Sequence, residues 1–186
     1  KKAIHTIPTG KKAITAVFSP GGRQIYVVNA GAANISVVDA NTRQITKTLP
    51  GAKGAMAIRP TDDWGLFWLT SPADNKLLLM NPRTGSIETS IDVPGEPHGL
   101  VISPDGKTVY VGQRGLNQIA KIDTESRKII QMAPLGKRPD MIAISPDGRL
   151  LYVAIRDENQ LAILSGADLS VKSKISTDGE THGVAY

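Results

Sequence analysis

The chain repeats itself with a step of 42 residues. Asp39, Asn81, Asp123 and Ser165 each close a short apolar run, and Asn34, Lys76, Gln118 and Gln160 open the same run in each copy. The clearest copy begins at Gly95 and reads GEPHGLVISPDGKTVYVGQRGLNQIAKIDTESRKI. It holds four apolar runs: His98–Ser103, Thr108–Gly112, Gln118–Ile122 and Arg127–Met132. Pro104-Asp105-Gly106, Arg114-Gly115 and Thr124-Glu125-Ser126 separate them, and Gly and Asp at such points permit tight reversals. Each run is of strand length and too short for a helix, so the unit reads as a four-stranded antiparallel meander. One such sheet cannot cover both of its faces, and the rest of the chain supplies copies to cover them.

A four-strand unit at this period is the sequence signature of a β-propeller, so the fold class is all-β. The expected blades are residues 10–50, 51–94, 95–135 and 136–177 of one domain, with partial blades at 1–9 and 178–186. The first turn of each blade reads as Ser19-Pro20-Gly21-Gly22, Arg59-Pro60-Thr61-Asp62, Ser103-Pro104-Asp105-Gly106 and Ser145-Pro146-Asp147-Gly148. An aromatic follows in the second strand: Tyr26, Phe67, Tyr110 and Tyr152. On this reading the second copy is degenerate, with Arg59 in place of Ser and an extra residue in its TDDWG turn. Tyr110 and Tyr152 are expected between blades, Phe67 in the core, and Trp64 exposed in its turn. Lys2–Pro8 and His182–Tyr186 read as a lone outer and a lone inner strand. Four complete blades flanked in this way are expected to form an arc of a larger ring. Such an isolated chain is expected to self-associate through its exposed blade edges.

Composition narrows the function classes. With no cysteine, the chain has no disulfide framework and no thiolate site for zinc or haem attachment. No apolar run approaches the ~20 residues of a membrane-spanning helix. A formal charge of +5 favours anionic partners, but an aromatic content of 4% leaves few platforms for stacking bases, so nucleic acid is not an expected partner.

The loops joining one copy to the next should gather at one mouth of the central channel. They carry Lys11, Lys12, Lys53, Lys137 and Arg138, opposed by Glu96, Asp140 and Glu180. Five basic groups on one rim would suit a carboxylate or phosphate, although charged loop residues ordinarily do no more than solvate the chain. His98 and His182 stand at equivalent positions, each followed by Gly at the start of an inner strand. Neutral imidazole can ligate metal or haem iron, but Ile14 and Asp140 near this position in other copies complete no ring of ligands. The SPDG turns read as architecture, and Asp39, Asn81 and Asp123 suit Asx-turns. No nucleophile elbow, phosphate loop, HExxH helix or Ser-His-Asp spacing is present, so no catalytic residue is assigned.

SPDGKTVYVG, SPDGRLLYVA, ISVVDANTRQI and the Pro-His-Gly and Thr-His-Gly triplets resemble the YVTN family of prokaryotic β-propeller repeats. The resemblance covers essentially the whole chain and implies a ring of seven blades in a periplasmic or extracellular protein of a bacterium or archaeon. Related propellers include the haem-binding domain of cytochrome-type nitrite reductases and the lactonases. The resulting expectation is a non-catalytic binding or scaffold module without a resident cofactor, holding a protein or small anionic ligand at the loops around the channel. The alternative is a cofactor-binding propeller for a haem-like tetrapyrrole or a metal, or a lactonase-like hydrolase.

Overall fold

The computed structural model describes residue 3 and residues 5–185 of the chain, and it consists of four four-stranded antiparallel sheets. The first holds β1 (Ala13–Phe18), β2 (Gln24–Asn29), β3 (Asn34–Asp39) and β4 (Gln44–Pro50). The second holds β5 (Ile58–Pro60), β6 (Phe67–Ser71), β7 (Lys76–Met80) and β8 (Ile87–Asp92). The third holds β9 (Pro97–Ile102), β10 (Thr108–Gln113), β11 (Gln118–Asp123) and β12 (Lys128–Pro134). The fourth holds β13 (Pro139–Ile144), β14 (Leu150–Ile155), β15 (Gln160–Ser165) and β16 (Val171–Ser176). Each sheet is a simple meander in chain order, and successive inner strands (β1, β5, β9, β13) lie beside one another. These are consecutive blades of a β-propeller.

The backbone keeps the 42-residue step. Lys12, Gly54, Glu96 and Arg138 are all left-handed; so are Gly22, Trp64, Gly106 and Gly148. The same holds for Ala33, Asn75, Asn117 and Asn159, and for Arg43, Gly85, Arg127 and Leu169. Side chains follow the same register. Ser103 Oγ donates to Asp105 Oδ1 and Ser145 Oγ to Asp147 Oδ1, both at 2.6 Å, and each hydroxyl also receives an amide from the next strand. Thr61 Oγ1 makes the same 2.6 Å bond to Asp63, and the Leu66 amide donates to Thr61 Oγ1.

The second blade's first turn is therefore Thr61-Asp62-Asp63-Trp64, two residues later than the sequence reading placed it. No residue is inserted. Trp64, at φ +56°, takes the place that Gly holds in the other blades. It is half-buried rather than exposed, packing with Tyr26 and Phe67 at centroid distances of 6.4 and 5.6 Å. Trp68, not Phe67, then shares the register of Tyr26, Tyr110 and Tyr152.

Stability comes from the seams between blades, because each sheet buries its faces only against its neighbours. Ile35, Leu49, Ile58, Phe67 and Met80 fill the first seam. Leu77, Leu100, Val109 and Ile122 fill the second, and Tyr110, Ile142, Leu151 and Leu164 the third. Polar ties cross the same seams: Tyr110 donates to the carbonyl of Gly166 at 2.7 Å, and Lys121 to that of Ala167 at 2.6 Å. Tyr110 is enclosed as expected, whereas Tyr152, on the outward face of the fourth blade, is only half-buried.

The two end segments differ from expectation. Of the expected outer strand Lys2–Pro8, residues 3 and 5–8 adopt no strand, and nor do residues 182–185 of the expected inner strand. Lys2, Ile4 and Tyr186 lie outside the described residues. The described residues of these segments pair with no other strand, and an unpaired strand has nothing to hold it extended.

Candidate functional site

Alternation of strand direction sends the blade-to-blade loops and the turns after the second strands to one end of the channel. At that end the fourth inner strand contributes Asp140, whose side chain is fully buried. Nδ1 of His98 lies 2.8 Å from Asp140 Oδ1, a close contact that falls short of a directed hydrogen bond. Arg114 Nη2 is bonded to Asp140 Oδ2, with Arg156 Nη1 and His182 Nε2 each 3.8 Å from that oxygen. Arg156 in turn binds the carboxylate of Glu180 through Nε.

The repeat builds this cluster. His98, Asp140 and His182 are one inner-strand position in three successive copies, and Arg114 and Arg156 are one turn position in two. Ile14 and Met56, then Ala30 and Pro72, occupy those positions in the earlier copies. His98 is seated by its surroundings. Its carbonyl accepts from Thr70 Oγ1 of the second blade at 2.7 Å. Gly99 lets the third inner strand close on the fourth: a Cβ there would lie 2.1 Å from the Asp140 carbonyl oxygen.

Burial lowers the proton affinity of His98 below the ordinary imidazole value, outweighing the opposite pull of Asp140. For Asp140, burial pushes the carboxyl up, but the contact with His98 and the charge of Arg114 outweigh it and hold it below the usual carboxylate range. The pair is thus a neutral imidazole against an ionised carboxylate. His98 Nε2 and Arg114 Nε are buried without a hydrogen-bond partner among the described residues. Unpaired polar atoms of this kind mark a place where a further polar group belongs.

The expected rim residues divide into two groups. His98 and His182 converge on Asp140, whereas Arg138 is exposed and lies 3.9 Å from Asp157. Lys137 is exposed nearby, its amide donating to Glu158. Lys11, Lys12 and Lys53 are exposed on the first and second blades, outside this cluster. The sequence reading counted Asp140 as an opposing charge that stands near the histidine position without completing a ring of ligands, and took Arg114 for a turn residue. The 42-residue register that reveals the blades is also the signal that reveals these two, together with Arg156. Although His98 and His182 both approach Asp140, no group of three His, Asp or Glu side chains among the described residues has an arrangement that could hold a metal ion.

The larger clefts lie at the opposite end. The largest, about 580 Å³, is lined by Ser145, Asp147, Tyr152 and Lys172. Equivalent residues line further clefts at Thr61–Trp68, Ser103–Tyr110 and Gln24–Tyr26. A groove present in every blade follows from the repeat itself, whereas the charged cluster occurs once among the described residues.

The fold and the site bear on three comparisons. The chain has a TM-score of 0.78 against a chain of hydrazine synthase from Kuenenia stuttgartiensis, with 23% identity, covering 94% of this chain and 51% of that one. It is 24% identical over 113 residues to the uncharacterized protein YncE of Salmonella typhimurium, covering 60% of this chain. The match spans 31% of YncE, so the chain corresponds to about half or less of either protein's length. Residues 74–172 match the family described as lactonase, 7-bladed beta-propeller. That match takes in more than half of the chain and holds His98, Arg114, Asp140 and Arg156: the chain belongs to the lactonase family of seven-bladed β-propellers.

Proposed function

We propose that the channel mouth binds a small anionic ligand, a carboxylate or a phosphate, between Arg156, His182 and the buried base formed by Arg114, Asp140 and His98. The observation that carries this reading is the hold of Arg156 on Glu180. A guanidinium at the mouth already grips a carboxylate presented by an exposed segment, as a ligand's own carboxylate would be gripped. Arg114 neutralises Asp140 from below, so the mouth is not repelled by its own buried acid. The finer kinship with YVTN repeats belongs to the same reading and rests on the SPDG turns. Titration calorimetry with octanoate tests it: Arg156→Ala should weaken binding at least tenfold, and Glu180→Gln should tighten it by freeing the guanidinium. Binding unaffected by either change sinks the reading.

The His98–Asp140 pair supports a second reading, hydrolysis of a cyclic ester. Once the mouth opens to admit water, a neutral imidazole with Nε2 unpartnered would take a proton from a water attacking the ester carbonyl and return it to the ring oxygen as the acyl C–O bond breaks; Asp140 would stabilise the imidazolium formed in between, and Arg114 or Arg156 would face the developing oxyanion. His98→Gln should then abolish turnover of simple γ- and δ-lactones. No turnover by the unaltered chain removes this second reading and leaves the first standing.

A further inference from the structure

The inner strands line the channel, and comparing their equivalent residues copy by copy isolates one that breaks the repeat. The level of Val17, Val101 and Ala143 is apolar in three blades; the second blade places Arg59 there. Arg59 is half-buried on β5, and its Nη1 donates to the carbonyl of its neighbour Ile58 at 2.9 Å. No carboxylate among the described residues forms an ion pair with it. Guanidinium stays charged at any ordinary pH, so the second inner strand carries a fixed positive charge that no carboxylate among the described residues pairs with. Packing alone gives no reason for it, because valine and alanine serve the same level in the other blades.

Its depth follows from the register. Met56 is the second blade's counterpart of His98 and Asp140, and Arg59 lies three residues further along the strand. At the rise of a β-strand that is roughly 10 Å below the mouth cluster.

We propose that Arg59 is a second anion-binding point inside the channel, and that the ligand is an elongated molecule with two anionic groups, one held at the mouth by Arg156 and one at depth by Arg59. This rests on the proposed binding role of the mouth and names the class of ligand that role takes. One charged end meets the exposed guanidinium, the chain passes the apolar level of Val101 and Ala143, and the far end neutralises Arg59.

Suberate and octanoate form the test pair, since they share a chain length and differ in the second carboxylate. With the 186-residue chain, suberate should bind at least tenfold more tightly than octanoate. Arg59→Met keeps the aliphatic stem and should reduce suberate to the octanoate level while leaving octanoate unchanged; Arg156→Ala should weaken both. A melting curve supplies an independent readout. Without ligand Arg59→Met should melt no lower than the parent, because an unpaired half-buried charge has been removed. Suberate should raise the melting temperature of the parent more than that of the variant. Equal binding of the two acids, or suberate affinity untouched by Arg59→Met while Arg156→Ala weakens both, overturns the deep site and leaves the mouth reading intact. Loss of suberate binding in Arg59→Met with no effect of Arg156→Ala overturns the mouth reading and, with it, the two-point ligand. No binding of either acid overturns both.

Discussion

Asp140 shows how much a single residue controls at this site. Its carboxylate is fully buried and survives there as an ion because Arg114, itself only 10% exposed, lies against it. Removing one partner of such a pair leaves an uncompensated charge in the protein interior, so Arg114→Ala should cost roughly 3–5 kcal/mol in denaturant melts. Replacing both, as Arg114→Met with Asp140→Leu, should recover most of that loss; a single-variant loss under about 1 kcal/mol would mean that Asp140 is satisfied without Arg114. The same cluster sets a pH dependence. His98 holds its proton less well folded than unfolded, so below the ordinary value of about 6.5 the unfolded chain binds more protons. Stability should fall as pH drops from there and level off once the folded imidazole is charged. Asp140 adds a second loss at lower pH: its contribution is full above the ordinary carboxylate value and disappears as pH falls through its depressed folded value. His98→Gln should flatten the upper part of the slope in thermal melts, and an unchanged slope would exclude His98 as its source. Little of this was legible from residue types alone. Arg114 sits in a turn, where arginine is commonplace, and only its recurrence as Arg156 beside the His98–Asp140–His182 series marks it.

At the scale of the element, the second blade shows what the sequence disclosed and what it concealed. Strand runs, Asx-turns and period were readable because turn chemistry is local: Asp39 accepts the amides of Asn41 and Thr42, as its position predicts. The register of the second turn was not readable, because Arg59-Pro60 imitates the Ser-Pro of the other copies. Pro60 closes the short strand β5, a strand end where a missing amide is tolerated. The true turn is recognisable only by its hydrogen bonds, with Thr61 acting as the serine and Trp64 as the glycine. Holding a bulky residue left-handed costs on the order of 1–2 kcal/mol. The packing of Trp64 on Tyr26 and Phe67 must exceed that, since truncating a buried aromatic costs about 3–5 kcal/mol and a half-buried one somewhat less. Trp64→Gly should therefore be net destabilising, by roughly 1–3 kcal/mol, despite matching the other blades. A variant more stable than the parent in urea would show that backbone strain outweighs the aromatic contact.

In the molecule as a whole, equivalent residues acquire different environments according to whether a further blade covers them. Leu49 and Ile91 are buried in the first two seams, but Ile175, at the same register in the fourth blade, is 50% exposed. Ile58, Leu100 and Ile142 are closed off in their inner strands, whereas Ala16 of the first blade is open, and Phe18 beside it is 61% exposed. Sequence cannot report this difference, since the repeat encodes one apolar pattern for every blade and burial depends on the neighbour. Both outward faces carry the apolar side chains that elsewhere make a seam, and their shapes are complementary because the internal seams join the same two kinds of face. A first blade on one molecule can therefore dock against a fourth blade on another, and this head-to-tail contact repeats rather than ending at a pair. The isolated 186-residue chain should accordingly self-associate as its concentration rises, driven by apolar burial and not opposed by added salt, which screens the repulsion between chains of charge +5. Phe18→Asp or Ile175→Asp alone should cut the association constant by an order of magnitude or more, since each places a charge in the buried contact. Sedimentation velocity over a dilution series decides it: a single 19.8 kDa species at every concentration would mean that the two faces do not recognise each other.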